Sequence, residues 1–318
     1  MRAVPLLPLL LGGWLVLPAH ADQAQDALKR LAQAEQQQSY QGTFVYERNG
    51  SFSTHRIWHR VTDGKVRERL LQLDGSAQEF VRADGSTQCV SGKLESGVSN
   101  RPEAASRFLD IAKLAEWYDI KSVGTSRVAG RPATIIALTP KDQHRYGVEL
   151  HLDDETGLPV KSLLLSEKGQ LLERFQFTDL NTTVPSDEAL KPSADCRPVD
   201  VVKARTDAAG KAAPWRLEWV PPGFELSTSA VRKDPESKVQ VSSLMYGDGL
   251  SRFSVFVEPV SGKTATDTRT QLGPTVAVSR RLTTANGDTL VTVVGEIPLG
   301  TAERIALSLR SADVQAKK

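Results

Sequence analysis

From Tyr40 to about Arg82 the chain alternates apolar and polar residues at a period of two, and each alternating run stops at a dipeptide suited to turning. The runs GTFVYE, HRIWHRV, KVRERLLQL and QEFVRA are separated or followed by Asn49-Gly50, Asp63-Gly64, Asp74-Gly75 and Asp84-Gly85. Asn-Gly and Asp-Gly supply the two positive φ angles of a type I′ turn, whose twist matches that of paired strands, so the pattern predicts a meander of consecutive hairpins. Residues 22–38 carry Ala24, Leu28, Leu31 and Glu35 at helical spacing without Gly or Pro, which predicts a short amphipathic helix. A second helix is predicted over 102–118, with Pro102 in its first turn and Ala105, Phe108, Leu109, Ala112, Ala115 and Trp117 near one face. Strand patterns resume in ATIIALT, YGVELHLD, PVKSLLLS and LLERFQFTDL, giving one curved sheet over about residues 40–180 with two helices to cover it.

The apolar rhythm fades after Pro185 into Pro, Ala, Asp and Lys, and residues 191–214 read as a linker between a first domain of 22–190 and a smaller one of 215–318. In the latter, WRLEWVPPGFEL, VQVSSLMYGDGLSRFSVFVEP and TLVTVVGEI read as strands, and TAERIALSLRS as a closing helix after Pro298. The fold class is therefore α+β. Residues 1–21 stand apart: Arg2, an apolar stretch from Val4 to Leu17 and Ala19-His20-Ala21 have the three parts of an export signal, broken by Pro5, Pro8 and Gly12-Gly13. The expectation is an exported, soluble chain beginning at Asp22. With Arg2 removed the remaining cations nearly balance the 38 acids, so bulk charge gives no footprint for nucleic acid. An oxidising compartment permits a bond between Cys89 and Cys196, which would close a loop of 107 positions; two separate thiols are the alternative.

No pattern carries catalysis. His55 and His59 in THRIWHR lie on one side of a strand but about 13 Å apart, too far to share a metal. VSGKT at 260–264 ends like a phosphate loop, yet Val257 stands where the motif needs glycine. Neither G-x-S-x-G, H-E-x-x-H nor C-x-x-C occurs, so no catalytic residue, metal ligand or cofactor is expected.

The sheet offers another chemistry. Phe44 and Tyr46 share one face; Ile57 shares a face with His55 and His59, while Trp58 shares the other with Arg56 and Arg60. Rings and aliphatics bury acyl chain and guanidinium groups meet phosphate or carboxylate, so Phe44, Tyr46, Arg56, Ile57, Trp58 and Arg60, with Leu71, Phe80 and Arg82, are the candidate lining for an anionic amphiphile. The competing assignment makes the aromatics ordinary core and the arginines a solvated face. For a protein partner the candidates are Trp215, Phe224, Arg232, Tyr246 and Phe256, since aromatic anchors dominate interfaces; the competing assignment makes most such aromatics the small domain's own core.

SYQGTFVYERNG, QEFVRADG, RYGVELHLDDETGLPVKS and LEWVPPGFEL, in this order, resemble the RseB/MucB family of periplasmic regulators of envelope-stress sigma factors, over essentially the whole chain after residue 21. The resemblance implies an unclosed antiparallel β-barrel similar to the lipoprotein carriers LolA and LolB, followed by a smaller α+β domain. It implies a non-enzymatic role: binding the periplasmic segment of a membrane-spanning anti-sigma factor of the RseA or MucA type, shielding it from site-1 proteolysis, and releasing it when lipid A or a similar amphiphile is sensed. Control of alginate production goes with one branch of the family. The sequence leaves a homo-oligomer open.

Overall fold

The computed structural model describes residues 19–91, 110–199, 213–233, 239–260, 266–284 and 287–311. Most of the expected export signal, the first part of the 102–118 helix, most of the 191–214 linker and residues 261–264 of VSGKT lie outside them.

After α1 (Ala19–Gln37), five strands run as a meander: β1 (Tyr40–Arg48), β2 (Ser51–Thr62), β3 (Lys65–Gln72), β4 (Glu79–Ala83) and β5 (Ser86–Val90). Three of the four turn dipeptides take the expected form, with positive φ at Asn49 and Gly50, Asp63 and Gly64, and Asp84 and Gly85. Asp74-Gly75 does not: only Gly75 has positive φ, and the wider connection of 73–78 is held by Asp74, whose carboxylate accepts the Thr54 N–H at 2.8 Å. The short α2 (Ile111–Trp117), N-capped by Asp110, leads into β6 (Tyr118–Val128), which begins at the residue predicted to end the helix. β6 was hidden by its exposed Lys121, Val123 and Thr125 and by a bulge beside Gly124. A further I′ turn, Ala129-Gly130, joins it to β7 (Arg131–Pro140). Then β8 (Gly147–Asp153), β9 (Pro159–Leu165) and β10 (Leu171–Asn181) walk back until β10 pairs antiparallel with β1.

With the two-residue β11 (Arg197–Pro198) on β5, this makes one open sheet of 11 strands, in the order β11-β5-β4-β3-β2-β1-β10-β9-β8-β7-β6. Its inner face receives α1, whose Leu28 and Leu31 bury against Tyr118, Ile136, Leu138 and Leu152. The sheet curls strongly enough for Val128, near the far edge, to share a core cluster with Phe44, Phe177 and Leu180. On the outer face a strap of residues 185–196 crosses β2, β3 and β4. Arg60 donates to Asp187 at 2.6 Å, Arg69 to the Ala189 carbonyl at 3.1 Å, and Ser193 to Glu79, while Cys196 is bonded to Cys89 with Cα atoms 5.5 Å apart.

The second sheet has six strands in the order β13-β14-β15-β18-β17-β16, from β13 (Glu225–Lys233), β14 (Gln240–Gly247), β15 (Arg252–Pro259), β16 (Thr268–Leu272), β17 (Thr275–Thr284) and β18 (Gly287–Gly295). The long run predicted from Val239 is two strands, broken by a turn at Asp248-Gly249, and the run from Trp215 is likewise broken at 221–224 between β12 (Trp215–Leu217) and β13. One face buries Leu244, Phe253, Val255, Val276, Val278, Val291 and Val293 under α3 (Leu299–Ser308), the predicted closing helix. The final strand β19 (Leu309–Ser311) pairs with β12.

Candidate functional site

The inner face of β1, β2, β3, β4 and β10 is an aromatic surface. Register puts Phe44 opposite His55 and Phe177, Ile57 opposite Leu70, and Leu70 opposite Phe80, all on one side of the pleat. Phe44 stacks on His55 at 5.1 Å and leans on Phe175 at 4.7 Å, and Tyr40 stacks on His59 at 4.8 Å. Phe44 is buried, whereas Tyr46, Ile57, Leu70, Phe80 and Phe175 stay half-buried.

Polar groups interrupt this surface at defined points. His59 is 6% exposed; its Nδ1 meets Glu68 at 2.8 Å, and its Nε2 has no hydrogen-bond partner among the described residues, nor does Nδ1 of His55. Burial pushes the Glu68 carboxyl up, but the hydrogen bond and charge of His59 and the charge of Arg82 outweigh it and leave it below the ordinary value. Burial raises Glu35, at the end of α1, and lowers the His55 imidazole. The Arg82 guanidinium lies 4.4 Å from the Phe80 ring centroid. At the rim, Tyr46 donates to Glu173 at 2.6 Å, and burial, that bond and the carboxylate's charge hold the phenol well above its usual range. Such a face accepts apolar chain along the rings and an anionic or hydrogen-bonding head at its imidazole and guanidinium edges. Among the described residues no group of three His, Cys, Asp or Glu side chains is placed to hold a metal.

The nine candidate lipid-lining residues therefore divide. Phe44, Tyr46, Ile57, Phe80 and Arg82 share the inner face. Arg56, Trp58, Arg60 and Leu71 point to the outer one and cannot line the same groove. There Trp58 sits between the guanidinium groups of Arg56 and Arg69, at 5.2 and 4.9 Å, and Arg60 holds the strap. Strand alternation, which separates neighbours along β2, is the reason.

The candidate partner residues divide as well. Phe224 and Tyr246 lie in the second core, 6% and 8% exposed, and present no surface. Trp215 packs partly against that core. Arg232 and Phe256 are exposed on the face turned away from α3. Sequence reasoning missed a third group, Trp117, Tyr118, Arg145 and Asp248, which joins the two sheets. Its one legible signal was a fourth Asp-Gly pair, Asp248-Gly249, inside what reads as a continuous strand.

Residues 23–194 match the family model of the MucB/RseB N-terminal domain, and residues 209–310 that of the MucB/RseB C-terminal domain. The sigma factor AlgU regulatory protein MucB of Pseudomonas aeruginosa is 59% identical over 98% of both chains. Among solved structures, the Pseudomonas aeruginosa MucA/MucB complex matches with TM-score 0.82 at 58% identity, over 91% of this chain and 99% of that one. MucB in complex with MucA(peri) matches with TM-score 0.78 at 59% identity, over 91% and 98%. MucB crystallised under its own name gives 0.65 at 57% identity over the same shares.

Proposed function

The chain belongs to the MucB/RseB family, a family of regulatory binding proteins rather than enzymes, and from this we propose that it is a periplasmic negative regulator of an envelope-stress sigma factor. In this reading it binds the periplasmic segment of a transmembrane anti-sigma factor of the RseA or MucA type and shields it from site-1 proteolysis. It lets go when the lipid A part of lipopolysaccharide, or a similar amphiphile, occupies the inner face of the first sheet. Alginate production is the output controlled. Residues 1–21 are the export signal, 22–190 the lipid-sensing domain, 191–214 the linker and 215–318 the partner-binding domain. No helix among the described residues is long and apolar enough to cross a membrane.

The observation that carries the reading is the likeness, at 58% identity and over nearly the full length, to a MucB whose solved structure is a complex with MucA. The lipid-sensing part is supported by the half-buried ring surface of Phe44, Tyr46, Ile57, Phe80 and Phe175, with Arg82 at its edge. A ligand that binds the released form better than the complexed one shifts the equilibrium by that difference in affinity.

The test is binding of the chain without residues 1–21 to a tagged MucA periplasmic segment, with and without lipid A. The expected result is tight binding that weakens with lipid and a segment that then becomes cleavable. Partner binding indifferent to lipid removes the sensor, and absence of partner binding leaves a lipid carrier.

A further inference from the structure

The two sheets are joined around one side chain. Arg145, in the connection between β7 and β8, is fully buried, and its guanidinium binds groups from both sheets. From its own side Asp142 accepts from Nη2 and Nε at 3.0 and 3.2 Å. From the second unit Asp248 accepts from Nη1 at 2.8 Å, and the Pro222 carbonyl from Nη2. Its centre lies 5.4 and 5.5 Å from the rings of Trp117 and Tyr118 and 5.0 Å from that of Phe224. Asp248 is itself fully buried. Its Oδ2 also accepts the Tyr118 hydroxyl at 3.1 Å, while its Oδ1 accepts the backbone N–H of Leu250 and Ser251 at 2.9 and 2.7 Å and so shapes the turn it comes from.

An ion pair of this kind adds little net stability, because desolvation offsets most of the attraction. Its effect is directional: a planar fork satisfied by a carboxylate and a carbonyl at fixed angles accepts one placement of the second sheet. Backbone approach is equally specific. Gly223 has φ of +81°, and a Cβ there would meet the Trp117 indole nitrogen at 2.3 Å. Beside it the buried Tyr146 donates to the Ile297 carbonyl at 3.0 Å and His144 meets the Thr301 hydroxyl at 3.1 Å, while Arg48 to Glu296 at 3.3 Å and Lys113 to Glu225 at 2.6 Å lie at the periphery, each with an exposed carboxylate. At nearly constant identity and coverage, the likeness of this arrangement to the two MucA complexes exceeds its likeness to MucB alone. Those solved structures therefore differ from one another, with TM-scores of 0.82 and 0.78 against 0.65.

We infer that Arg145, Asp248 and Tyr118 form a latch that sets the orientation of the two domains and thereby positions them for the anti-sigma segment. The second half of that statement rests on the proposed partner binding; the first does not.

The experiment uses the chain from residue 22, spin-labelled at exposed Val123 and Leu307, one on each unit, with Cys89 and Cys196 bonded to each other. Asp248→Asn keeps an acceptor for the Leu250 and Ser251 amides but loses the charge, and Asp142 still compensates Arg145. Arg145→Lys keeps the charge and loses the fork. Interdomain distances by pulsed electron paramagnetic resonance and affinity for the MucA periplasmic segment are read on the same samples. The expected result is a narrow distance distribution in the parent that broadens or shifts in both variants, with affinity lower by about tenfold. Where a variant fails to fold, Gly223→Ala leaves every ion pair in place and wedges the same junction. Unchanged distances overturn the latch, and altered distances with unchanged affinity overturn its positioning role. A parent that does not bind the segment overturns the partner reading, and the distance measurement then decides the latch alone.

Discussion

The two sheets solve the same problem with different completeness. In the second, β14, β15, β17 and β18 alternate cleanly, and Phe253, Val255, Val276, Val278, Val291 and Val293 are all at most 1% exposed beneath α3. In the first, α1 seals the half formed by β6 to β9, while across β1 to β4 the larger side chains Tyr46, Ile57, Leu70 and Phe80 remain half-buried. Width explains the contrast. A sheet of 11 strands extends roughly 50 Å across its strands, and a helix about 10 Å in diameter covers only part of it. Six strands are narrow enough for α3 and the segment around Phe224 to close. The first sheet thus retains an apolar face that its own described helices do not finish, which is where a ligand gains most by binding.

If the units are separable in this way, a destabilising change in one leaves the other's unfolding transition in place. The largest effect is expected from removing the bond between Cys89 and Cys196, which spans 107 positions, closes the strap onto β5 and belongs wholly to the first unit. Cys89→Ser with Cys196→Ser lowers that unit's stability by about 4 to 5 kcal/mol in the chain-entropy account. Calorimetry should show one transition displaced and one unmoved. A common shift of both would mean that the units unfold as one. Next is Phe253→Ala, which empties a site 1% exposed and costs about 3 to 5 kcal/mol, this time in the second unit.

The contrast was partly visible in the sequence. Asn49-Gly50, Asp63-Gly64 and Asp84-Gly85 announce the meander because a I′ turn demands those residues, and helical spacing announces α1. Local chemistry sufficed there. Asp74-Gly75 has the same composition and makes a different connection, since Asp74 found a better use in capping the Thr54 amide. The pairing of β1 with β10, and hence the inner face, depends on contacts more than a hundred residues apart and leaves no local trace. Strand parity did separate Trp58 from Ile57, but which parity faces inward was set by α1 and the strap. The junction was least legible: Arg145 and Asp248 look like turn residues anywhere, and only their meeting across 103 positions makes them a site.

A smaller effect sharpens the comparison of the two apolar faces. Ile57→Ala on the half-buried face should cost about 1 kcal/mol in chemical denaturation, well below the roughly 2 to 5 kcal/mol of a sealed position. The same substitution should reduce lipid A binding and leave MucA binding without lipid unchanged. A cost equal to that of a fully buried aliphatic would show that the face is closed core rather than a receptive surface.

The smallest effect is a pH dependence confined to one unit. The second unit, from residue 213 onward, contains no histidine, whereas the first carries His55, His144 and His151, each with its imidazole lowered from 6.5 chiefly by burial. An imidazole lowered in the folded protein takes up its proton first in the unfolded chain. Stability contributed by these groups is therefore present above pH 6.5 and is lost as the pH falls below it toward their folded values. Glu35 and Glu173, both raised chiefly by burial, act with the opposite sign, but only as the pH approaches the carboxylate range from above. Between pH 7.5 and 5.5 the first transition should consequently move down in temperature while the second stays in place. Replacing His55 by Gln should remove part of that slope. Equal slopes in both transitions would instead show that the junction at Arg145, with His144 beside Thr301 and Trp219, transmits the proton uptake of one sheet to the other.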